Sequence, residues 1–262
     1  MQLHLKDIDN LPKLSQFLRV QHADLDVFLE NGTISFCKHF DLPKRNKRLG
    51  FRRVYKVTSE TLKNIHKVFH GYLNSRYSPS DAVHGYVEKR NIKTNAAAHI
   101  GKKYILTVDI ECFFESISFD TVQATLIELG APQDIALQLA RLITLDSRLV
   151  QGFVTSPIMA NLCVQKLDED IERSAKENGF CYTRYADDIT ISSDQEVSLE
   201  TIETLVLKHG YKLNPNKTSL SRRGRKQFVT GLTVFDVKQP RIPKHFKKKL
   251  RLELYYLNPS YG

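Results

Sequence analysis

Two adjacent carboxylates, Asp187 and Asp188, stand inside Cys181-Tyr-Thr-Arg-Tyr-Ala-Asp-Asp-Ile-Thr-Ile-Ser192. Runs rich in Tyr, Thr and Ile are strand material, and a short polar pair between them reads as a hairpin tip. Like charges on a rigid ribbon repel, and they tolerate partial burial only beside a cation. Oxygen ligands alone favour a hard ion, Mg2+ first. A solvated Asp-Asp turn is the plain alternative for the dipeptide by itself. A third carboxylate, Asp109, ends the apolar run Tyr104-Ile-Leu-Thr-Val-Asp109. It is either a cap or turn residue, or the remaining ligand of a two-metal phosphoryl-transfer site facing the hairpin. In such a site one ion lowers the pKa of an attacking hydroxyl and the other neutralises the phosphates and leaving group. The protein then mainly positions groups and stabilises charge. On this reading Asp109 and Asp187 bridge two Mg2+ ions. Asp188 is an auxiliary ligand, and the backbone carbonyl of Ile110 adds a further oxygen.

Several elements must hold these groups. The first thirty residues read as helical, with Leu11, Leu14, Phe17, Leu18, Leu25 and Phe28 in a rough 3.6-residue stripe. A basic stretch over 38–56 carries Lys44, Arg45, Lys47, Arg48, Arg52 and Arg53, and its second half alternates like an exposed strand. It is either a solvated loop or a hairpin that curls over a triphosphate. Ser59 reads as the N-cap of a helix through Leu62, Ile65 and Phe69 that closes near Gly71. His66 and His70 lie four apart on it without a third ligand, which favours core or surface histidines over a metal site. Ser118 starts a helix that ends at Gly130, and Pro132 suits the first turn of the next. The break Gln151-Gly-Phe-Val-Thr-Ser-Pro157 precedes a helix from Ile158 to near Asn178. After the hairpin come a helix ending at Gly210, a basic turn Arg222-Arg-Gly-Arg-Lys226, a strand over 227–235 and a basic last segment. Strands interleaved with helices, one pair joined by a tight hairpin, predict an α+β fold with a mixed or antiparallel sheet.

Composition agrees. The chain has 262 residues, 41% of them apolar, and 39 Lys and Arg against 29 Asp and Glu, for a net charge of +10. That excess points to a polyanionic partner, nucleic acid before membrane. The first ten residues mix charges without an apolar core, and no apolar run approaches membrane-spanning length, so no membrane role is expected. Cys37, Cys112, Cys163 and Cys181 form no C-x-x-C pair, which indicates neither a zinc site nor a disulfide framework and fits reduced cytoplasm.

These segments together resemble the reverse transcriptases. Tyr185-Ala-Asp-Asp188 is similar to their Tyr-x-Asp-Asp signature. Residues 104–117 resemble the first catalytic segment, with the aromatic Phe114 five residues after Asp109. Gln151-Gly-Phe-Val-Thr-Ser-Pro157 matches Gln-Gly-x-x-x-Ser-Pro, and residues 210–217 resemble the segment that ends in a lysine near the pyrophosphate. Asn95-Ala-Ala-Ala-His99 and Val229-Thr-Gly231 resemble patterns of the bacterial retron enzymes in particular.

The resemblance implies a right-hand polymerase with fingers and palm around an antiparallel sheet and a short or truncated helical thumb. Residues 1–103 would hold N-terminal helices and fingers, 104–237 the palm with finger-side helices inserted, and 238–262 the start of a basic thumb. It also implies copying of a cognate structured RNA into branched multicopy DNA, primed from a guanosine 2′-hydroxyl, within an anti-phage system that restrains an effector or toxin protein.

Residue by residue, Phe114 would clash with a ribose 2′-OH and so favour dNTPs, or merely pack in the core. Arg53 is the first choice to grip the triphosphate, with Lys56 and Lys63 behind it. Gln151 positions the nucleotide or caps a turn, and Lys217 protonates the departing pyrophosphate or is solvated. Asn95 and His99 bind RNA or brace the fingers. Val229, Thr230 and Gly231 are RNA candidates, or a strand whose Gly permits close backbone approach. Lys247, Lys248 and Lys249 offer phosphate contacts on a helix over 243–257. Two other readings stand beside this one: a group II intron-like or other bacterial defence reverse transcriptase, and a non-catalytic RNA-binding subunit of a toxin–antitoxin-like complex.

Overall fold

The structure, a computed structural model, describes residues 4–44 and 50–257. Asn10 caps α1 (Leu11–Leu18) by accepting from the Lys13 N–H, and the helix ends at Arg19 in the left-handed region (φ 58°). The predicted N-terminal helix is therefore two, α1 and α2 (His22–Asn31). β1 (Cys37–Pro43) and β2 (Phe51–Val57) pair antiparallel, as the hairpin reading of the basic stretch expects. Its Arg45, Lys47 and Arg48 lie outside the described residues. Ser59 caps α3 (Glu60–Arg76) as predicted, but the helix passes through Gly71. A mid-helix glycine costs about 1 kcal/mol. Burial of Tyr72 and Leu73 just beyond it offsets that at ~1.5–3 kcal/mol per large apolar side chain.

Next come α4 (Ile92–Ala97), opened by an Asn91–Thr94 capping box, and β3 (Tyr104–Asp109). Ser118 caps α5 (Phe119–Glu128) as expected. α6 (Gln133–Ile143) buries Ile135, Leu139, Leu142 and Ile143 along one face. The helix predicted over 158–178 is interrupted: α7 (Ser156–Cys163) stops at Val164 (φ −97°, ψ 6°), and α8 (Gln165–Glu177) buries Leu167 and Ile171. The remaining elements are β4 (Cys181–Tyr185), β5 (Asp188–Ser193), α9 (Leu199–Lys208), β6 (Ser219–Arg222), β7 (Phe228–Val229), β8 (Leu232–Thr233) and α10 (Lys244–Leu257).

These elements form two compact units. One comprises the described residues up to Ser78 with Cys112–Gln165, and the other Pro79–Glu111 with the described residues from Lys166 onward. Each unit is built from two separate stretches of chain. Residues 79–103 belong with the sheet because His84 N–H donates to the Arg184 carbonyl and His99 is lodged against β4 and β5. Residues 112–165 belong with the N-terminal helices, where the buried His66 ring meets the Leu142 carbonyl at 2.7 Å and Phe153. His66 is thus a core histidine.

The sheet of the second unit runs β4-β5-β3-β6, antiparallel throughout. Side chains alternate between its faces. Ile105, Thr107 and Asp109 share one face with their partners Ser192, Thr190 and Asp188. The Ile105 end of that face is covered by α4 and the β7–β8 hairpin, where Ala96, Ile105, Val229, Leu232 and Val234 form a buried cluster. Asp109 and Asp188 stand at the opposite end. In α10 every side chain is exposed.

Candidate active site

The hairpin predicted from the sequence is β4–β5, closed by Ala186 and Asp187 between the paired residues Tyr185 and Asp188. Its first central residue, Ala186, has φ 58°. A type II′ turn needs that sign there, at a cost that glycine would avoid. Asp187 occupies the second position, and its carbonyl accepts from the Ile110 N–H at 2.9 Å. Asp109 is buried and lies directly across from Asp188 in the β3–β5 register. Direct cross-strand neighbours bring like charges within a few ångströms.

Electrostatics follow from that packing. Desolvation first, and then Asp187, push the Asp109 carboxyl up to about 6 despite the opposing pull of Lys217. Asp188 has solvent-accessible area, but atoms crowd its carboxyl. Desolvation, followed by Asp187 and Asp109, pushes it up to about 7. Lys217 supplies the counter-charge, with Nζ 2.5 Å from Asp109 Oδ2 and 3.8 Å from Asp187 Oδ2. Desolvation works against its ammonium, but the Asp109 hydrogen bond and the nearby carboxylates outweigh it, and the pKa rises. The lysine is delivered by a short 3-10 turn, Pro215–Lys217, capped by Asn214. That turn is tied to the site because Asn214 N–H donates to the Asp109 carbonyl and Glu111 N–H to the Lys212 carbonyl.

The donor set suits a hard dication. It consists of oxygens on Asp109, Asp187 and Asp188, and burial and mutual repulsion hold two of the three carboxyls above their ordinary range, the direction a nearby cation would reverse. Among the described residues no group of three or more His, Cys, Asp or Glu is gathered into coordination geometry. Lys217 takes the position between Asp109 and Asp187.

The expected nucleotide-side residues fall in the first unit. Arg53 is exposed on β2, and its Nε donates to Asp41, its cross-strand partner, at 3.1 Å. Lys56 is exposed, and Lys63 pairs with Glu60 at 2.5 Å. Phe114 is half-buried, its ring centroid 5.5 Å from that of the buried Phe113. Gln151 donates from Nε2 to Glu115 at 3.4 Å, and its backbone carbonyl accepts from the Tyr55 N–H at 2.8 Å. Gly152 (φ 108°) lies so close to β2 that a Cβ there would sit 2.0 Å from the Tyr55 carbonyl oxygen. The Gln-Gly pair thus anchors the basic hairpin.

Three residues expected to contact RNA are internal. Asn95, His99 and Val229 are fully buried. His99 bridges Thr183 and Ser192, each at 2.7 Å, and burial drives its pKa down to about 3. Thr230 (φ 45°) and Gly231 (φ 81°) are the turn of the β7–β8 hairpin, with both φ positive as in type I′. Gly231 serves that turn and not a close approach, since a Cβ on it would meet nothing within 4 Å. Asn95 Nδ2 lies 3.5 Å from Thr230 Oγ1, which donates to the Ile92 carbonyl at 3.2 Å. The two segments brace one another, so RNA contact by the buried three would require opening this cluster. Lys247, Lys248 and Lys249 are exposed on α10.

Sequence reasoning missed Arg184 and Asp168. Both are buried, with Arg184 Nε and Nη2 on the Asp168 oxygens at 2.7 and 2.6 Å. An arginine in the midst of apolar strand residues was the available signal, since such a charge is buried only when paired.

The fold has known counterparts. Residues 42–241 match the family model described as reverse transcriptase (RNA-dependent DNA polymerase), and the chain belongs to that family. Within it, retron enzymes are among the similar relatives. The retron Mx65 reverse transcriptase of Myxococcus xanthus is 35% identical over 217 residues, covering 74% of this chain and 50% of its own length. The retron Ec73 reverse transcriptase of Escherichia coli is 31% identical over 242 residues, covering 84% and 76%. The chain spans 50% and 59% of the length of the Mx65 and Mx162 enzymes. Among solved structures, telomerase from Candida albicans superposes with a TM-score of 0.54 at 13% identity, covering 85% of this chain and 50% of that one, a likeness of fold. Among the described residues no helix is long and apolar enough to cross a membrane.

Proposed function

We propose that the chain is the polymerase of a retron: it copies a cognate structured RNA into multicopy branched single-stranded DNA, starting from a guanosine 2′-hydroxyl of that RNA. The observation that carries this reading is the meeting of Asp109, Asp187, Asp188 and Lys217 at one end of the sheet, in a chain whose similar relatives include retron reverse transcriptases. Two Mg2+ ions held by Asp109 and Asp187, with Asp188 and the Ile110 carbonyl, would activate the attacking hydroxyl and neutralise phosphate charge. Lys217, whose carboxylate neighbours favour its protonated form, would give a proton to the departing pyrophosphate. Arg53, with Lys56 and Lys63, grips the triphosphate of the dNTP. Gln151 positions the nucleotide, and Phe114 excludes a ribose 2′-OH. The basic surface, including Lys247, Lys248 and Lys249, holds the RNA backbone in a salt-dependent way. In the cytoplasm the branched product and the polymerase restrain a partner effector, as part of anti-phage defence.

The test is to purify the chain from cells that carry its flanking locus, extract bound nucleic acid, and resolve it on a denaturing gel with and without RNase and a debranching enzyme. A small discrete DNA whose mobility changes after both treatments is expected. RNA alone, with Mg2+-dependent extension of a supplied primer on an RNA template, would retain the polymerase and remove the branched product from the proposal.

A further inference from the structure

Asp187 reaches the site on a turn that the chain does not favour, because Ala186 sits at φ 58°. Something must hold that turn. Alternation along β4 puts Tyr182 and Arg184 on one face, toward α8, where both the Tyr182 hydroxyl and Arg184 Nε donate to Asp168 Oδ1. Arg184 Nη2 donates to Asp168 Oδ2, which leaves Nη1, and this nitrogen donates to the Ala186 carbonyl at 3.0 Å. The rigid guanidinium fork reads two acceptors at once, which an ammonium cannot do.

The backbone of the same residue is held too. Arg184 N–H donates to the Ala82 carbonyl, and the Arg184 carbonyl accepts from His84 N–H, each at 2.8 Å. This seats Gly85 so closely against the turn that a Cβ there would lie 2.2 Å from Ala186 N. The carbonyls of both turn residues are therefore engaged: Ala186 by Arg184, and Asp187 by Ile110 N–H. A buried ion pair is a weak source of net stability, since apolar residues of similar volume hold a fold as well. The hydrogen bond to Ala186 is what an apolar replacement would lose.

We propose that the buried Asp168–Arg184 pair is a positioning device for catalysis: it fixes the strained Ala186–Asp187 turn so that the Asp187 carboxylate stands ready beside Asp109. Arg184 is a positioning residue that touches no reacting atom. This inference rests on the reading of Asp187 as a catalytic carboxylate.

The test uses the full chain with a DNA primer on an RNA template, dNTPs and Mg2+. Asp168→Asn with Arg184→Met removes both charges while leaving Tyr182 an acceptor, and Arg184→Lys keeps the charge but not the fork. Both should melt within a few degrees of the parent and keep KM for dNTP. Their kcat should fall by about 10-fold to 100-fold, the scale of a misplacement near 1 Å. Hydrogen–deuterium exchange should rise across 184–190 and stay unchanged in α9. Parental kcat with unchanged exchange in either variant would overturn the proposal, and unfolding of both would show that the pair holds the fold instead. Asp187→Asn is measured alongside. If it keeps activity, the site reading itself fails; if it is inactive while the Arg184 variants match the parent, only this inference fails.

Discussion

Lys217 Nζ stands 2.5 Å from Asp109 Oδ2, so a lysine from the 3-10 turn after α9 neutralises the carboxylate at the end of β3. The proposed proton donor is thus also the counter-charge of Asp109. Lys217→Met should lower kcat by about 10²-fold or more, within the range of a lost general acid, with KM for dNTP much less affected. Pre-steady-state incorporation of a single nucleotide is the measurement, and an unchanged rate would return Lys217 to a purely electrostatic role.

Asp187→Asn combined with Asp188→Asn should abolish DNA synthesis. It should leave RNA binding within a few-fold of the parent, because binding rests on the basic surface. Removing a carboxyl that burial first, and then repulsion by Asp187 and Asp109, holds above its ordinary range should also leave the melting temperature equal or higher. Primer extension, gel shift and thermal melts together read this out, and synthesis by the double variant would remove these carboxylates from the chemistry.

Phe114 is only half-buried, so its ring is not wholly committed to the core. Phe114→Val should admit rNTPs, raising the ratio of rNTP to dNTP incorporation by about 10-fold or more, since the 2′-OH is the only difference to be read. Competition between dCTP and CTP at one template position measures it. An unchanged ratio would place the sugar discrimination elsewhere.

Gly152→Ala would drive a Cβ to 2.0 Å from the Tyr55 carbonyl oxygen at a residue with φ 108°. Overpacking of this kind costs about 1–3 kcal/mol. The β1–β2 hairpin that carries Arg53 should therefore loosen, with KM for dNTP rising. Limited proteolysis within β1 and β2 should quicken, and parental proteolysis with parental KM would disprove the anchoring role.

His66 and His99 are buried with pKa values lowered to about 4 and about 3, in both by desolvation. Above their ordinary value of 6.5 both states are neutral and neither residue affects the balance. As pH falls from there toward the folded-state values, the unfolded chain takes up protons that the native chain refuses, so stability declines with acid through that window. Thermal melts from pH 8 to pH 5 should show this, and His99→Gln should flatten the slope. A slope identical in His99→Gln would mean that His99 does not contribute.

Much of the site was legible locally. The alternation around Asp187 and Asp188, the apolar run into Asp109, and the caps at Ser59 and Ser118 are decided by neighbours a few residues away, where propensity and pattern act. The tertiary structure decided the rest. It carried α3 past Gly71, because burial of Tyr72 and Leu73 outweighs a glycine's preference. It interrupted the helix predicted over 158–178 at Val164. It turned Asn95, His99 and Val229 inward, since a histidine's partners, here Thr183 and Ser192, lie more than eighty residues away in the chain. It assigned 79–103 to the sheet and 112–165 to the N-terminal helices. Above all it joined Arg184 to both Asp168 and Ala186. Sequence alone determined where the three carboxylates and Lys217 stand along the chain; only long-range packing decided what holds the Asp187 turn, because burial and pairing belong to the folded whole.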